Sequence, residues 1–374
     1  MHYDAIVIGL GATGGAAFYH LANSGARVLG IDAASPPHDG GSSHGATRIY
    51  RQAYYEAPEY VPLVLRALEL WHDLERLTSQ TLFTRTGALT IGPENGELVR
   101  GALHSARTHS IPHELLDGAD VSRRFPVFRA PEGTIALFEP TAGVLNVEAC
   151  IAAHLALGQA RGGALRTRET VIAIDSGIDR AVVHTNRGDY TGSNVIVAAG
   201  AWTPKLLQLE SAFRVTREVV HWFRPVGVNG TVADCPVSMI QYDDGPIFYS
   251  IPDSGDGFKA GLHHAGRPAD PTVIQPFVSD AASVARAVAA VAPGASGPLV
   301  RSVPCYYTTT LDHHFVVGPL DHAPNVIVAS ACSGHGFKFA PALGEHLARL
   351  VHERDVHPYP LFTASRLAAS RASS

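Results

Sequence analysis

Residues 3–32, "YDAIVIGLGATGGAAFYHLANSGARVLGID", leave this chain few ways to fold. Ala5 to Ile8 is a short apolar run of the kind that forms a buried parallel strand. Gly9, Gly11 and Gly14 follow in G-x-G-x-x-G spacing. Ala16, Ala17 and Leu21 then recur at helical period up to Gly25, and a second apolar run, Arg27 to Ile31, ends in Asp32. Each part of this strand–turn–helix–strand unit has a physical task. Gly9 permits the tight turn, Gly11 lets the backbone approach a pyrophosphate, and Gly14 allows the helix to lie close to the strand. The helix N-terminus offers free N–H groups and a positive dipole end to phosphate. Asp32, 23 positions after Gly9, is placed to accept hydrogen bonds from ribose hydroxyls, and its charge repels a 2′-phosphate. FAD and NAD are equally compatible with this unit.

The segment after the second strand bears on that choice. "SSHGATRIYRQAY" puts His44, Arg48 and Arg51 close behind it, with no NAD-type continuation. A second fingerprint is absent, since "GDGFKAG" at 255–261 has the wrong spacing and no leading strand. A single dinucleotide site argues against electron traffic between FAD and NAD.

The 374 residues are enough for two domains sharing a sizeable core. Hydrophobic residues make up 46% and charged ones 17%, a globular balance, and the net charge is −5 with no Lys/Arg block. Nucleic acid and anionic membrane surfaces are therefore poor partners. The N-terminus shows no basic leader or small-residue cleavage site, and no apolar run approaches the roughly 18 to 20 residues that span a bilayer. Cys150, Cys235, Cys305 and Cys332 lie far apart without a C-x-x-C pair, which gives neither a zinc site nor a disulfide framework. The expectation is a reducing, cytoplasmic setting. The 20 histidines include no H-E-x-x-H cluster, and adjacent His313 and His314 would face opposite sides of a strand, so no metal site is expected.

Downstream, "PLVLRALELWHDLE" (62–75) reads as an amphipathic helix and Asn146 to Leu157 as another. Val195 to Ala199 is a buried strand running into Gly200, which suits a return to the nucleotide domain. Alternating segments over 214–263 suggest antiparallel strands, hence an α+β substrate domain. Residues 325–351 give strand, Gly-rich turn and a helix from near Ala340 through Leu350.

Taken together, "GLGATGGAAFYHLA", "SHGATRIYRQAYYE", "EYVPLVLRALELWHDLE", "FEPTAGVL", "GAWTPKLL", "FKAGLHH", "CYYTTTLDHHFVV" and "SGHGFKF" span nearly the whole chain. The chain resembles the monomeric sarcosine oxidase and N-methyltryptophan oxidase family, flavoproteins of the D-amino-acid-oxidase-like superfamily. The resemblance implies α/β plus α+β architecture: a Rossmann-like FAD-binding domain with a mixed sheet and helices, and an antiparallel-sheet substrate domain. It implies FAD-binding stretches at 1–80, 142–206 and 306–374, with 81–141 and 207–305 forming the substrate domain. It also implies roles. Cys305 falls where members attach FAD through a thioether to the flavin 8α-methyl. Arg51 and Lys338 fall where the substrate carboxylate is held, and Lys259 where a lysine promotes reaction of reduced flavin with oxygen. Tyr249, His263 and Tyr307 match substrate-pocket positions. His44 and Arg48 match residues beside the flavin ring, with Gly334, Gly336 and Lys338 near the cofactor.

The chemistry agrees with these placements. A carboxylate entering an apolar pocket needs fixed cations, because an unpaired buried charge is very costly. Arg offers a planar fork and Lys a point charge, and an ammonium near the flavin stabilises charge developing on oxygen. The sequence departs from the family pattern at Pro304, directly before the cysteine, and across residues 236–248, which leaves the N-substituent open. The implied activity is oxidation of the C–N bond of a sarcosine-like secondary amine, with imine hydrolysis and reduction of O2 to hydrogen peroxide. The implied state is a monomer. The rivals are a dehydrogenase passing electrons to a non-oxygen acceptor and a non-catalytic subunit of a larger complex.

Overall fold

The computed structural model describes residues 2–226, 230–241, 245–272, 281–331, 333–353 and 355–369. The opening unit forms as the sequence implies: β1 (His2–Ile8), α1 (Ala12–Asn23) and β2 (Val28–Asp32). β1 pairs in parallel with β2, setting Ile8 opposite Ile31, and on its other side with Gly188–Val197, setting Ile8 opposite Val197. Ala164–Thr167 extends the parallel set beyond β2, and Ala323–Ser330 extends it beyond Val195–Val197. Antiparallel strands at Val171–Ser176, Ala181–Thr185 and Val316–Leu320 complete an eight-stranded sheet.

This sheet is buried on both faces, which is why its strands read as continuous apolar runs. Ala5 and Val7 of β1 join a cluster containing Phe18 and Leu21 of α1, Trp71 of Val61–Thr78, Ile151 of Val147–Ala160 and Leu343 of Ala340–His352. Ile6 and Ile8 face the opposite cluster with Leu29, Ile31, Val195 and Val197. The expected helices at 62–75, 146–157 and 340–350 are these three, each a little longer or shifted at the ends, with Asn146 capping the second through Ala149 N–H.

A nine-stranded sheet carries the rest. Its long strand Phe213–Phe223 is flanked by Phe258–Leu262 on one side and Leu299–Thr310 on the other. Pairing is antiparallel except where Val237–Ile240 runs parallel to Ala88–Pro93. A three-stranded sheet of Thr47–Tyr50, Gly143–Asn146 and Phe83–Arg85 stands apart from both.

Two local readings change. Cys305 sits within the twelve-residue strand Leu299–Thr310 rather than before a strand. Pro304 is accommodated because, among the described residues, this strand pairs with one neighbour alone and so has an edge that needs no N–H. His313 and His314 lie in the turn after that strand, not in a strand, and His313 has φ +60°. Cys150, Cys235 and Cys305 are buried free thiols, while Cys332 lies outside the described residues, as do residues 242–244 of the divergent 236–248 segment. Among the described residues no helix is long and apolar enough to cross a membrane, and no group of three His, Cys, Asp or Glu is placed to hold a metal ion.

Candidate active site

A cavity of about 910 Å³ runs from the carboxyl ends of β1 and β2 to the nine-stranded sheet. Its first end is lined by Gly9, Gly11, Ala12, Thr13, Asp32 and Ser43. Gly9 has φ +83°, and a Cβ there would lie 2.6 Å from Ala198 O. Gly14 does not line the cavity; a Cβ on it would lie 1.8 Å from Gly9 O, so its task is the close seating of α1. Gly11, by contrast, would meet only Ser43, at 3.4 Å. It caps α1 without a side-chain bond, and the first helical turn carries no acidic residue, so its N–H groups face the cavity free of competing charge.

Asp32 is already engaged. Its two oxygens accept from Leu10 N–H and Ala34 N–H at 2.8 Å each, and His38 Nε2 stands 3.4 Å away. Ionised carboxylate oxygens hold about four acceptor sites in all, so the group can still accept from a ribose. His44 is buried and not among the lining residues, and its Nε2 has no partner. Burial, then Arg48, pushes its pKa down. Ser42 Oγ is likewise buried without a partner. A glycine-lined helix N-terminus, an acidic residue at the second strand end and orphaned polar atoms beside them fit a dinucleotide.

The far end collects most of the remaining sequence candidates. Arg48 lines it, donating to Thr47 O and Ser42 O at 2.8 Å each. Lys259 is 2% exposed, and its Nζ donates to Gly45 O and Thr47 O at 2.8 Å each, 5.1 Å from the Trp222 ring centroid. Burial drives its pKa well below the ordinary lysine value, and Arg48 adds to the effect. Cys305, on the strand beside Phe213–Phe223, is buried, which raises its thiol pKa against the opposing pull of Arg48 and Lys259. Tyr307, two residues on, therefore shares its face, and its hydroxyl meets His263 Nδ1 at 3.2 Å. Burial holds His263 neutral and keeps the Tyr249 and Tyr307 phenols protonated. Gly334 makes room for this pair: a Cβ there would lie 2.3 Å from the Tyr307 ring and 2.7 Å from that of His263. A Cβ on Gly336 would collide with Ala331 O, so that glycine is needed for the turn itself.

Arg51 and Lys338 close the same region. Arg51 NH2 holds both oxygens of Glu56, at 2.6 and 2.8 Å, and its guanidinium lies 4.2 Å from the Tyr54 ring centroid. Burial works against its charge, but Glu56 and Tyr54 outweigh it and hold the pKa above the ordinary value. Lys338 Nζ donates to His335 O at 2.7 Å and lies 5.2 Å from the same ring. Burial and then Arg51 bring its pKa down to about 7.

Of the named site residues, all but Gly14 and His44 line this one cavity. Sequence reasoning missed Glu56, Tyr54, Thr47 and Trp222, whose relevance comes only from their contacts. It also missed Lys205, which lines the cavity and for which a sequence signal did exist: the chain has three lysines, and Lys205 is one of them.

Residues 4–350 match the model of the FAD dependent oxidoreductase family. The chain belongs to that family. It is 39% identical to the monomeric sarcosine oxidase of Bacillus sp. (strain B-0618), an alignment covering 98% of this chain and 96% of the relative. It is 36% identical to the N-methyl-L-tryptophan oxidase of Yersinia pestis (strain Pestoides F), covering 95% and 96%. Among solved structures, NikD, an unusual amino acid oxidase essential for nikkomycin biosynthesis, superposes with a TM-score of 0.84 at 26% identity, covering 98% of this chain and 97% of that one. L-proline dehydrogenase from P. horikoshii shares the fold, with a TM-score of 0.83 at 21% identity over 98% of each chain. This FAD dependent oxidoreductase therefore combines Rossmann-like and mixed-sheet architecture in the way its relatives do.

Proposed function

We propose that the protein is a monomeric oxidase of small N-substituted amino acids of the sarcosine type, acting as an FAD enzyme with O2 as acceptor. The observation that carries this reading is the pairing of two buried cations, Arg51 and Lys338, against the Tyr54 ring, both lining the cavity that also holds the glycine turn. Such a pair suits an amino-acid carboxylate, and the tyrosines and His263 beside it enclose the rest of a small substrate. Arg51 is held by Glu56, so an arriving carboxylate takes over a partner that is already charged and buried.

Bound FAD would accept two electrons from the substrate C–H and N–H, giving an imine that water splits, and pass them with two protons to O2 as hydrogen peroxide. The residues supply the rest. Arg51 and Lys338 orient the amine through its carboxylate, the tyrosines flank it, and Lys259 places a cation where oxygen takes on charge. Cys305 would carry FAD as a thioether. Forming that thioether would release one S–H and one C–H proton and leave two electrons for O2 to take up. We also assign 1–80, 142–206 and 306–374 to the FAD domain and 81–141 with 207–305 to the substrate domain. The strand Leu299–Thr310 runs through the 305/306 boundary, which puts Cys305 where the two meet. A cytoplasmic location is consistent with three buried free thiols.

The test is a peroxide-coupled assay over sarcosine, bulkier N-methyl amino acids, proline, pipecolate and iminodiacetate. Peroxide formed with at least one of these is the expected result. Reduction of an artificial dye without peroxide would make the protein a dehydrogenase. A colourless, inactive protein would make it a non-catalytic subunit.

A further inference from the structure

Lys259 is buried, yet among the described residues its ammonium touches no carboxylate. Its partners are the carbonyls of Gly45 and Thr47 and, at 3.5 Å, the Thr47 hydroxyl. Neutral acceptors only partly replace water around a charge. The turn that supplies these carbonyls is unusual. Gly45 has φ +87° and Ala46 φ +67°, and Thr47 N–H closes back onto Gly45 O at 2.8 Å. This is the rare, strained hand of the γ-turn, which persists only where surrounding contacts enforce it.

Glu148 and the start of its helix hold this turn in place. Glu148 Oε1 accepts from Gly45 N–H at 2.9 Å and Ala46 N–H at 3.2 Å. Glu148 stands in the first turn of Val147–Ala160, whose leading Val147 N–H binds Ala46 O at 2.9 Å. Gly45 C=O and Ala46 N–H belong to one peptide group. That single peptide therefore has its oxygen on the Lys259 ammonium and its N–H on the Glu148 carboxylate, so its dipole links the two charges in series.

We propose that Glu148 is a positioning residue for Lys259: it fixes the Gly45–Thr47 turn and, through the Gly45–Ala46 peptide, provides the negative charge that keeps Lys259 cationic while oxygen is reduced. This rests on the oxygen-activating role given to Lys259 under the proposed function. The charged and titratable groups bearing on Lys259 are Arg48 from Thr47–Tyr50, Cys305 and Arg301 from Leu299–Thr310, and Glu148. The two arginines disfavour its proton, while Cys305 and then Glu148 favour it. Glu148 is the carboxylate among these groups.

Two substitutions separate charge from geometry. Glu148→Gln keeps an oxygen able to accept both N–H groups and removes the charge; Glu148→Ala removes both. Because the chain holds only Lys205, Lys259 and Lys338, lysine labelled with 13C at Cε gives three resonances, and Lys259→Met assigns the one of interest. In Glu148→Gln the Lys259 resonance is expected to titrate about one pH unit lower. Reduced enzyme should then react with O2 several-fold more slowly at neutral pH, while anaerobic flavin bleaching by an N-methyl amino acid keeps its native rate. An unmoved Lys259 titration in Glu148→Gln would overturn the proposal, as would equal slowing of both half-reactions. Lys259→Met reports on the reading beneath it. If that variant reacts with O2 at the native rate, the role of Lys259 falls and the proposal with it. If it is slow while Glu148→Gln behaves as native, the Glu148 assignment alone fails. Should Glu148→Ala not fold, Glu148→Gln decides.

Discussion

Three of the 29 Lys and Arg residues are lysine, and all three line the cavity. On the surface this chain makes its ion pairs with arginine, as in Arg66–Glu345 and Arg124–Glu114. At Lys259 and Lys338 burial favours loss of the proton, a change that arginine cannot make. Lys338 has a pKa of about 7. A substrate amine must shed a proton before oxidation, so kcat/KM climbs with pH. If Lys338 holds the substrate carboxylate as proposed, its deprotonation removes half the anchor on the same climb. The logarithm of kcat/KM should therefore bend downward near pH 7 in the native enzyme, and Lys338→Met should lower the profile and abolish the bend. A bend at the same pH in the variant would assign it elsewhere. Cys305→Ser should fold, and on acid precipitation its yellow colour should pass to the supernatant, whereas native colour stays with the pellet. Release from the native protein would end the thioether assignment. The cations and the thiol were legible through the family-like segments that hold them, "SHGATRIYRQAYYE", "FKAGLHH", "CYYTTTLDHHFVV" and "SGHGFKF". Glu56 and Glu148 were not, since a carboxylate is ordinary anywhere until the fold sets it 2.6 Å from Arg51 or beneath the Gly45 turn.

At the scale of elements, the β1–α1–β2 unit was readable in detail because its constraints are local. Fingerprint glycines, helix period and terminal Asp all lie within thirty residues. Gly14 is the joint of that unit. With a Cβ only 1.8 Å from Gly9 O, Gly14→Ala forces α1 away from β1, an overpacking that costs about 1 to 3 kcal/mol. The phosphate-binding turn moves with it. The expected result is a protein recovered with little or no flavin and a lower Tm, measured by the absorbance ratio of flavin to protein and by thermal melting; full flavin content would show that the turn tolerates the shift. The nine-stranded sheet was read only in outline. Its pairings join residues far apart in sequence, such as Val237 with Ala88 and Glu218 with Cys305. No local period announces which strand will lie beside which. That is also why Cys305 reads as preceding a strand: Pro304 is a breaker in isolation, and only an edge position makes it harmless.

Across the whole molecule, burial of histidine sets how the fold responds to acid. His154 is enclosed between Trp71 and Tyr19, and burial takes its pKa down to about 3; His20 and His346 are brought to about 4 by the same cause. In each case the folded value lies below that of the unfolded chain. As pH falls through about 6.5 the unfolded state takes up the proton first, so stability is lost from there down to the folded pKa. For His154 at pH 5 the penalty is about 2 kcal/mol, from a proton that the unfolded chain holds and the folded chain refuses. Glu139 acts in the opposite direction. Burial raises its pKa to about 7 despite hydrogen bonds from Gln52 and Ala53 N–H, so it contributes stability below about 4.5 that disappears as pH rises through 7. Burial also raises the pKa of Glu218, but several histidines outweigh these two carboxyls, and the net expectation is an acid-labile fold. His154→Leu removes one titrating group at nearly constant volume in a site lined by aromatic rings. The midpoint of urea unfolding should drop from pH 7.5 to pH 5 in the native protein, and drop by less in His154→Leu, the difference corresponding to about 2 kcal/mol. An identical drop in both proteins would show that His154 accepts its proton while folded, and that the acid response lies with other groups.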